Sequence, residues 1–214
     1  MKSSSLQHIF VAILVLAFIS GFSFLLKRQF ENFALAFLFS IIIIAVSVSA
    51  KKITAHLLDA DIEHEIWQTP HIAKQIGIKK SIPTGIVLPI LISLVSLGTI
   101  KFTAFLTYET RAQKYRASKR FGFYSYKEMT DWHNGIIGAS GIFFVLVLSL
   151  LAYLIPANLE SLEYLAKLSA YYAFWNIIPF SKLDGTQIFF GSRILWAILA
   201  ALSAIFAIFA VITV

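Results

Sequence analysis

The sequence predicts an all-helical, multi-pass membrane protein with a small β or re-entrant insert. Of its 214 residues, 58% are hydrophobic and only 14% are charged, against about 45–50% and about 25% in soluble proteins. Long apolar runs alternate with short charged islands, as in proteins that cross a bilayer several times. The chain contains no cysteine, which excludes disulfides, thiolate metal sites and cysteine nucleophiles.

Six apolar segments define a single membrane domain over residues 1–214. We predict crossings at residues 9–26, 32–50, 135–156, 165–180 and 194–214, since a crossing helix needs about 20 mostly apolar residues. The first run ends at Lys27 and Arg28 without a small-residue cleavage signal, so we interpret it as an uncleaved crossing. Ile53, Leu57 and Leu58 predict that the second helix continues past residue 50 as an amphipathic stretch.

The sixth segment, residues 84–107, is apolar but short and contains Pro89. It is either re-entrant or interfacial, with a short β element at 99–105, or a tilted, Pro-kinked third helix. Charge counting favours the first interpretation, because the basic islands 51–83 and 101–134 then share one face with most of the 18 Lys and Arg side chains. The positive-inside rule places that face, with the N-terminus and the basic loops, in the cytoplasm, and predicts a multi-pass protein of the cell membrane.

The most informative run follows the fifth predicted crossing, where residues 176–185 read Asn-Ile-Ile-Pro-Phe-Ser-Lys-Leu-Asp-Gly. Pro179 removes a backbone donor and predicts a helix end, and Gly185 predicts a left-handed turn. Between them, Asp184 places a carboxylate beside an apolar segment, with Asn176 about two turns earlier. An ionisable group near membrane depth indicates a functional site. The alternative is that Asp184 caps the next helix.

This run resembles the second signature, Asn-x-x-Pro-x-x-x-Leu-Asp-Gly, of the site-2 protease family, whose members are intramembrane zinc metalloproteases. The flanking runs 171–175 and 186–190 are similar to archaeal members, and the resemblance covers roughly residues 33–195. Upstream, Gly135, Gly138 and Gly141 form a smooth stripe for close helix packing. The resemblance implies a site-2-protease-like helical core. It also implies that Asp184 is a zinc ligand and that Asn176 helps to hold the substrate or the developing oxyanion.

The other half of a zinc hydrolase site is missing from the sequence. Hydrolysis needs His-Glu-x-x-His, in which two histidines bind zinc and the glutamate takes the proton of water, and the chain lacks this run. The family's order of segments would place it at residues 47–51, where Ser47 and Lys51 replace the histidines and Val48 the glutamate. A valine accepts no proton, and a lysine ammonium repels zinc. We therefore expect no cofactor and hypothesise an ion pair between Lys51 and Asp184.

Together these observations predict a catalytically inactive site-2-protease-like protein, a pseudoprotease that binds the transmembrane helices of client proteins. The predicted client-binding or vestigial site comprises Asn176, Pro179, Asp184, Gly185 and Lys51. One alternative is an active metalloprotease that holds zinc through Asp184 and relocated ligands, drawn from His56, Asp59, Asp61, His64 and His71. Another is a small transporter or channel.

The expected partners are the lipid bilayer and a client's transmembrane helix. Residues 111–120 form a strongly basic run, which is typical of a cytoplasmic face beside anionic lipid headgroups. We predict no nucleic-acid partner.

Overall fold

The computed structural model describes residues 3–69, 83–113, 129–155 and 160–212, with side chains described from residue 5 and, after the last gap, from residue 161. The described chain is mostly helical. Its helices are α1 (Ser3–Leu26), α2 (Phe30–Leu57), α3 (Thr84–Val95), α4 (Asp131–Leu154), α5 (Glu160–Ile177), α6 (Asp184–Gly191) and α7 (Arg193–Ile212). Strands β1 (Ala60–Ile66) and β2 (Leu106–Ala112) form an antiparallel pair.

Four of the described helices, α1, α2, α4 and α7, are long and apolar enough to cross a membrane. Their outer faces carry large apolar side chains, such as Leu38 and Phe144, that are about half exposed, as expected of surfaces covered by lipid rather than water. Helix α5 covers most of the predicted crossing at 165–180 but is not one of the four. It is only 18 residues long and carries Glu160, Glu163 and Lys167 in its first half.

The amphipathic extension of the second predicted helix is confirmed, because α2 continues to Leu57. Asp59 then adopts a left-handed conformation, φ 54°, and turns the chain directly into β1. In β1 the buried residues alternate with more exposed ones, which is the pattern of a strand with one face on the core. The sheet lies at the end of the helix bundle where α2 ends and α1 begins. We call this end of the bundle the sheet end.

Helix α1 covers the outer edge of β1 with two side chains. Ser5 Oγ accepts a hydrogen bond from the His64 amide at 3.1 Å, and His8 Nδ1 accepts one from the Ile66 amide at 3.0 Å. Alternate residues of a strand point their backbone groups to opposite sides. The backbone groups of Glu63 and Glu65 therefore face β2. The first edge of the sheet is thus occupied.

From residue 83 to β2, the described chain leaves the sheet end and returns to it. At its start the Gly85 amide donates to the Trp67 carbonyl (2.9 Å), and at its end the Trp67 amide donates to the Phe105 carbonyl (2.8 Å). Helix α3 ends at Val95, and Gly98, with φ 79°, makes the far turn. This fold-back is what a re-entrant segment requires, whereas a single tilted helix would not return.

Two predictions for this segment are wrong in detail. The β element lies at Leu106–Ala112 rather than at 99–105, because only the later residues find a partner strand in β1. Charge counting groups Lys101 with the basic island 101–134, but its ammonium donates to the Tyr164 hydroxyl near the start of α5. That hydroxyl in turn donates to the Ser20 carbonyl in the last two turns of α1. Lys101 therefore lies away from the sheet end.

Candidate functional site

Lys51 and Asp184 form a buried ion pair at the sheet end of the bundle. The Lys51 ammonium of α2 hydrogen-bonds to Asp184 Oδ2 at the start of α6, and the two side chains are 0% and 1% exposed. The hypothesised Lys51–Asp184 pair is thus confirmed. Buried charges persist only when paired, so each residue supplies the counter-charge that the other requires.

Helix α4 and strand β2 make room for Lys51. A Cβ on Gly141 would lie 2.4 Å from Lys51 Cε, so a larger residue here would force the lysine stem, which passes along α4, to shift. The ammonium lies 5.0 Å from the centre of the Tyr108 ring, a cation–π contact that is favourable in a desolvated site. The Tyr108 hydroxyl donates to the Asn134 carbonyl at 2.6 Å and fixes the ring against α4.

The loop after α5 places Asp184, though not in the way the sequence suggested. Helix α5 ends at Ile177, two residues before Pro179, and the left-handed residue of the loop is Ser181 with φ 55°. The left-handed turn predicted at Gly185 is therefore wrong. Helix α6 has Leu183 at its N-cap position, without a side-chain cap bond, so Asp184 does not cap it either. Instead the Asp184 carboxylate turns inward to Lys51.

Gly185 is required for space rather than for backbone conformation. A Cβ at this position would lie 2.0 Å from the Ile177 carbonyl oxygen and 2.7 Å from that of Ile178. Real Cβ atoms do not approach backbone oxygens so closely, so the absent side chain lets the start of α6 pack on the end of α5. This contact holds Asp184 against Lys51.

Asn176 links α5 to the returning chain. Its Nδ2 donates to the Thr103 carbonyl at 3.2 Å and to the Tyr172 carbonyl at 2.8 Å. Its Oδ1, like Asp184 Oδ1 and Ser47 Oγ, is buried without a hydrogen-bond partner among the described residues. Unpaired buried acceptors are costly, so these three oxygens are among the groups here that have unused bonding capacity.

The donor set does not fit zinc. Residues 47–51 present a serine, a valine and a lysine, and the Lys51 ammonium already occupies one oxygen of Asp184. Of the relocated candidates, His56 and Asp61 are exposed, while His71 lies outside the described residues. Within residues 3–69, 83–113, 129–155 and 160–212, no three His, Asp or Glu side chains come together in a group that could hold a metal.

His64 is buried in the sheet opposite Tyr108. Burial, with the nearby charges of Lys51 and Lys52, lowers the pKa of its imidazole to about 3, so the ring is neutral at physiological pH. Neither ring nitrogen has a hydrogen-bond partner in the described part of the chain. The His64 imidazole is therefore a neutral polar group near Lys51, and it adds no charge to the surroundings of the ion pair.

A polar cleft of about 460 Å³ adjoins the ion pair. It is lined by β2, the first turn of α4, the loop before α6, and α6 itself. Tyr108 belongs both to its lining and to the contact with Lys51, so this residue connects the cleft with the buried charges. Sequence reasoning missed Tyr108, because nothing in an isolated strand shows that its register brings one side chain over a lysine on another element.

Comparisons of the chain with protein-family models, with curated proteins and with solved structures found no match.

The glycine contacts lead to a first prediction. Gly185→Ala should destabilise the protein by about 3 kcal/mol, the upper end of the range for overpacking, because its Cβ would meet backbone rather than a movable side chain. Gly141→Ala should cost less, since its Cβ meets the flexible stem of Lys51. Thermal unfolding of the purified variants in detergent, followed by tryptophan fluorescence, measures both. An unchanged midpoint for Gly185→Ala would contradict the close approach.

Proposed function

We propose that the chain is a catalytically inactive protein of the site-2 protease type, which binds transmembrane segments of client proteins without cleaving them. The observation that carries the proposal is the Lys51–Asp184 ion pair. Under the resemblance, Asp184 is the residue that would bind zinc, and Lys51 replaces a histidine ligand. The Lys51 ammonium places a fixed positive charge beside Asp184, as the metal ion would in an active relative. Unlike a metal ion, it does not activate a water molecule.

The second edge of the sheet supports client binding. Since His64 and Ile66 point their amides towards α1, Glu63 and Glu65 pair with β2 through Glu109 and Thr107. The alternate β2 residues, Leu106, Tyr108, Thr110 and Ala112, then point their backbone groups away from β1. Among the described residues, the Gln187 side chain covers one of these groups, donating to the Tyr108 carbonyl at 3.0 Å.

This edge borders the polar cleft, to which Tyr108 and Thr110 both contribute. A strand edge with available backbone groups binds an extended peptide by strand addition. We therefore expect the client to enter the cleft in an unwound, extended form along β2, displacing Gln187. A transmembrane helix that contains helix-breaking residues unwinds at the lowest cost, so such helices are the expected clients.

Site-specific photo-cross-linking tests this function. A photoreactive phenylalanine analogue is placed at Phe190, which lines the cleft and is 71% exposed, and in a matched variant at Phe144, which is 49% exposed on the outer face of α4. Each variant is reconstituted with a panel of single-span membrane proteins tagged at both ends. We expect adducts from position 190 well above those from position 144, with both tags retained.

Three outcomes would contradict the proposal. Equal cross-linking from positions 190 and 144 would show that the cleft is not a client-binding site. Client fragments whose formation stops on chelation would indicate an active metalloprotease instead. Solute flux in vesicles that requires Asp184, without any adduct at position 190, would favour a transporter or channel.

A further inference from the structure

An apolar groove lies between α5 and α7, away from the polar cleft. It encloses about 510 Å³, and its walls are mainly apolar side chains of the two helices, among them Phe174, Trp175, Ala204 and Ile208. At the end of α7 the groove opens beside Val211 and Ile212, which are 59% and 73% exposed. Among the described residues that line it, Lys101 alone is charged.

Lys101 is a cation without a carboxylate partner among the described side chains. Its ammonium lies 4.5 Å from the centre of the Tyr164 ring and donates to the hydroxyl of that residue at 3.3 Å. The carboxylate of Glu163 is instead bonded to Lys167, at 2.6 Å. A lysine ammonium has three donors, so Lys101 has donors and a positive charge left for an anion at the mouth of the groove.

The dimensions of the groove distinguish between possible occupants. Its lining on α7 extends from Ala204 to Ile212, about 12 Å at the helical rise of 1.5 Å per residue. Half of a hydrocarbon core of about 30 Å is about 15 Å, so the groove matches one leaflet. A client's transmembrane helix would require an apolar surface about twice as long.

We infer that this groove binds an anionic phospholipid, with one acyl chain between α5 and α7 and the phosphate on Lys101. The Lys101–Tyr164–Ser20 hydrogen bonds fix the ammonium beside the last two turns of α1, which lie in the outer part of one leaflet when that helix crosses the bilayer. The bound lipid then neutralises Lys101 and covers the apolar walls of the groove.

Lipid competition on the full-length protein tests the inference. Purified, delipidated protein is equilibrated in mixed micelles with phosphatidylglycerol and phosphatidylcholine, and the bound lipid is identified by native mass spectrometry. We expect a preference of about fivefold for phosphatidylglycerol, the usual contribution of one lysine near a charged headgroup. Lys101→Gln should abolish this preference, and Lys101→Arg should retain it.

Matched controls keep the inference falsifiable. Lys182→Gln removes an exposed lysine at the sheet end and should leave the preference unchanged, whereas Ala204→Phe should fill the groove and reduce the bound lipid. A preference that survives Lys101→Gln, or binding unaffected by Ala204→Phe, would overturn the inference. So would equal competition by glycerol phosphate, which has no acyl chain, or displacement of the lipid by a single-span client helix.

Discussion

Lys51→Met is expected to destabilise the protein by about 3–5 kcal/mol, because it leaves the Asp184 carboxylate buried without its counter-charge. Asp184→Asn is expected to have a similar effect by isolating the ammonium. Combining the two substitutions removes both charges and should return the free energy of unfolding close to that of the unaltered protein. Denaturation of the four proteins in mixed micelles measures this coupling.

An exposed ion pair at the same end of the bundle provides the control. Lys182 lies 3.4 Å from Glu109, and the two side chains are 65% and 48% exposed. Lys182→Met should change the free energy of unfolding by less than about 1 kcal/mol, as is usual for surface pairs. If Lys51→Met were equally mild, or if the double variant were no more stable than either single one, Lys51 and Asp184 would not compensate each other.

Rebuilding the missing motif should create a zinc site. The combined variant Ser47→His, Val48→Glu and Lys51→His places two imidazoles one helical turn apart. The last of them replaces the residue that contacts Asp184. We expect this variant to bind one zinc ion per chain, as measured by elemental analysis after dialysis, and to lose it when Asp184→Ala is added. Zinc binding is expected because the substitutions remove the positive charge of Lys51 and add two neutral imidazole ligands.

The same three side chains placed one residue later form the matched control. Val48→His, Ser49→Glu and Lys52→His rotate the motif by about 100° around α2, away from Asp184, while Lys51 remains in place. This variant should bind no zinc that depends on Asp184. Equal binding by both variants, or none by the first, would mean that residues 47–51 do not stand where the resemblance places the zinc motif.

Several features of the fold were predictable because they depend on local patterns. Uninterrupted apolar runs predicted the four helices that can cross a membrane. Amphipathic spacing predicted that α2 extends to Leu57. The position of β2 was not predictable, because residues 99–105 have a stronger β composition than the strand itself. Pairing with β1 decides which residues form the strand, and that contact is not local.

Lys101 shows why charge counting along the chain has limits. The rule assigns a whole loop to one side of the membrane, but a segment that folds back carries its residues away from that side. The turn at Gly98 packs against Ser23, near the end of α1, and Lys101 follows three residues later. A basic residue in such a turn is therefore counted with an end of the bundle at which it does not lie.

The candidate site was predictable in part, for a similar reason. The motif and the family's order of segments led to Lys51 and Asp184, although the two residues are 133 positions apart in the sequence. The roles of Tyr108, Gln187 and Gly185 depend on contacts between elements, which sequence spacing does not encode. Gly185 was correctly singled out but for the wrong reason, because a glycine needed for close approach and one needed for a left-handed turn look identical in a sequence.

The metal content of the unaltered protein tests the central claim most directly. If the Lys51 ammonium is the counter-charge of Asp184, the purified chain equilibrated with zinc and then dialysed should retain no stoichiometric divalent cation. Retention of one such ion per chain, lost in Asp184→Ala, would contradict the account.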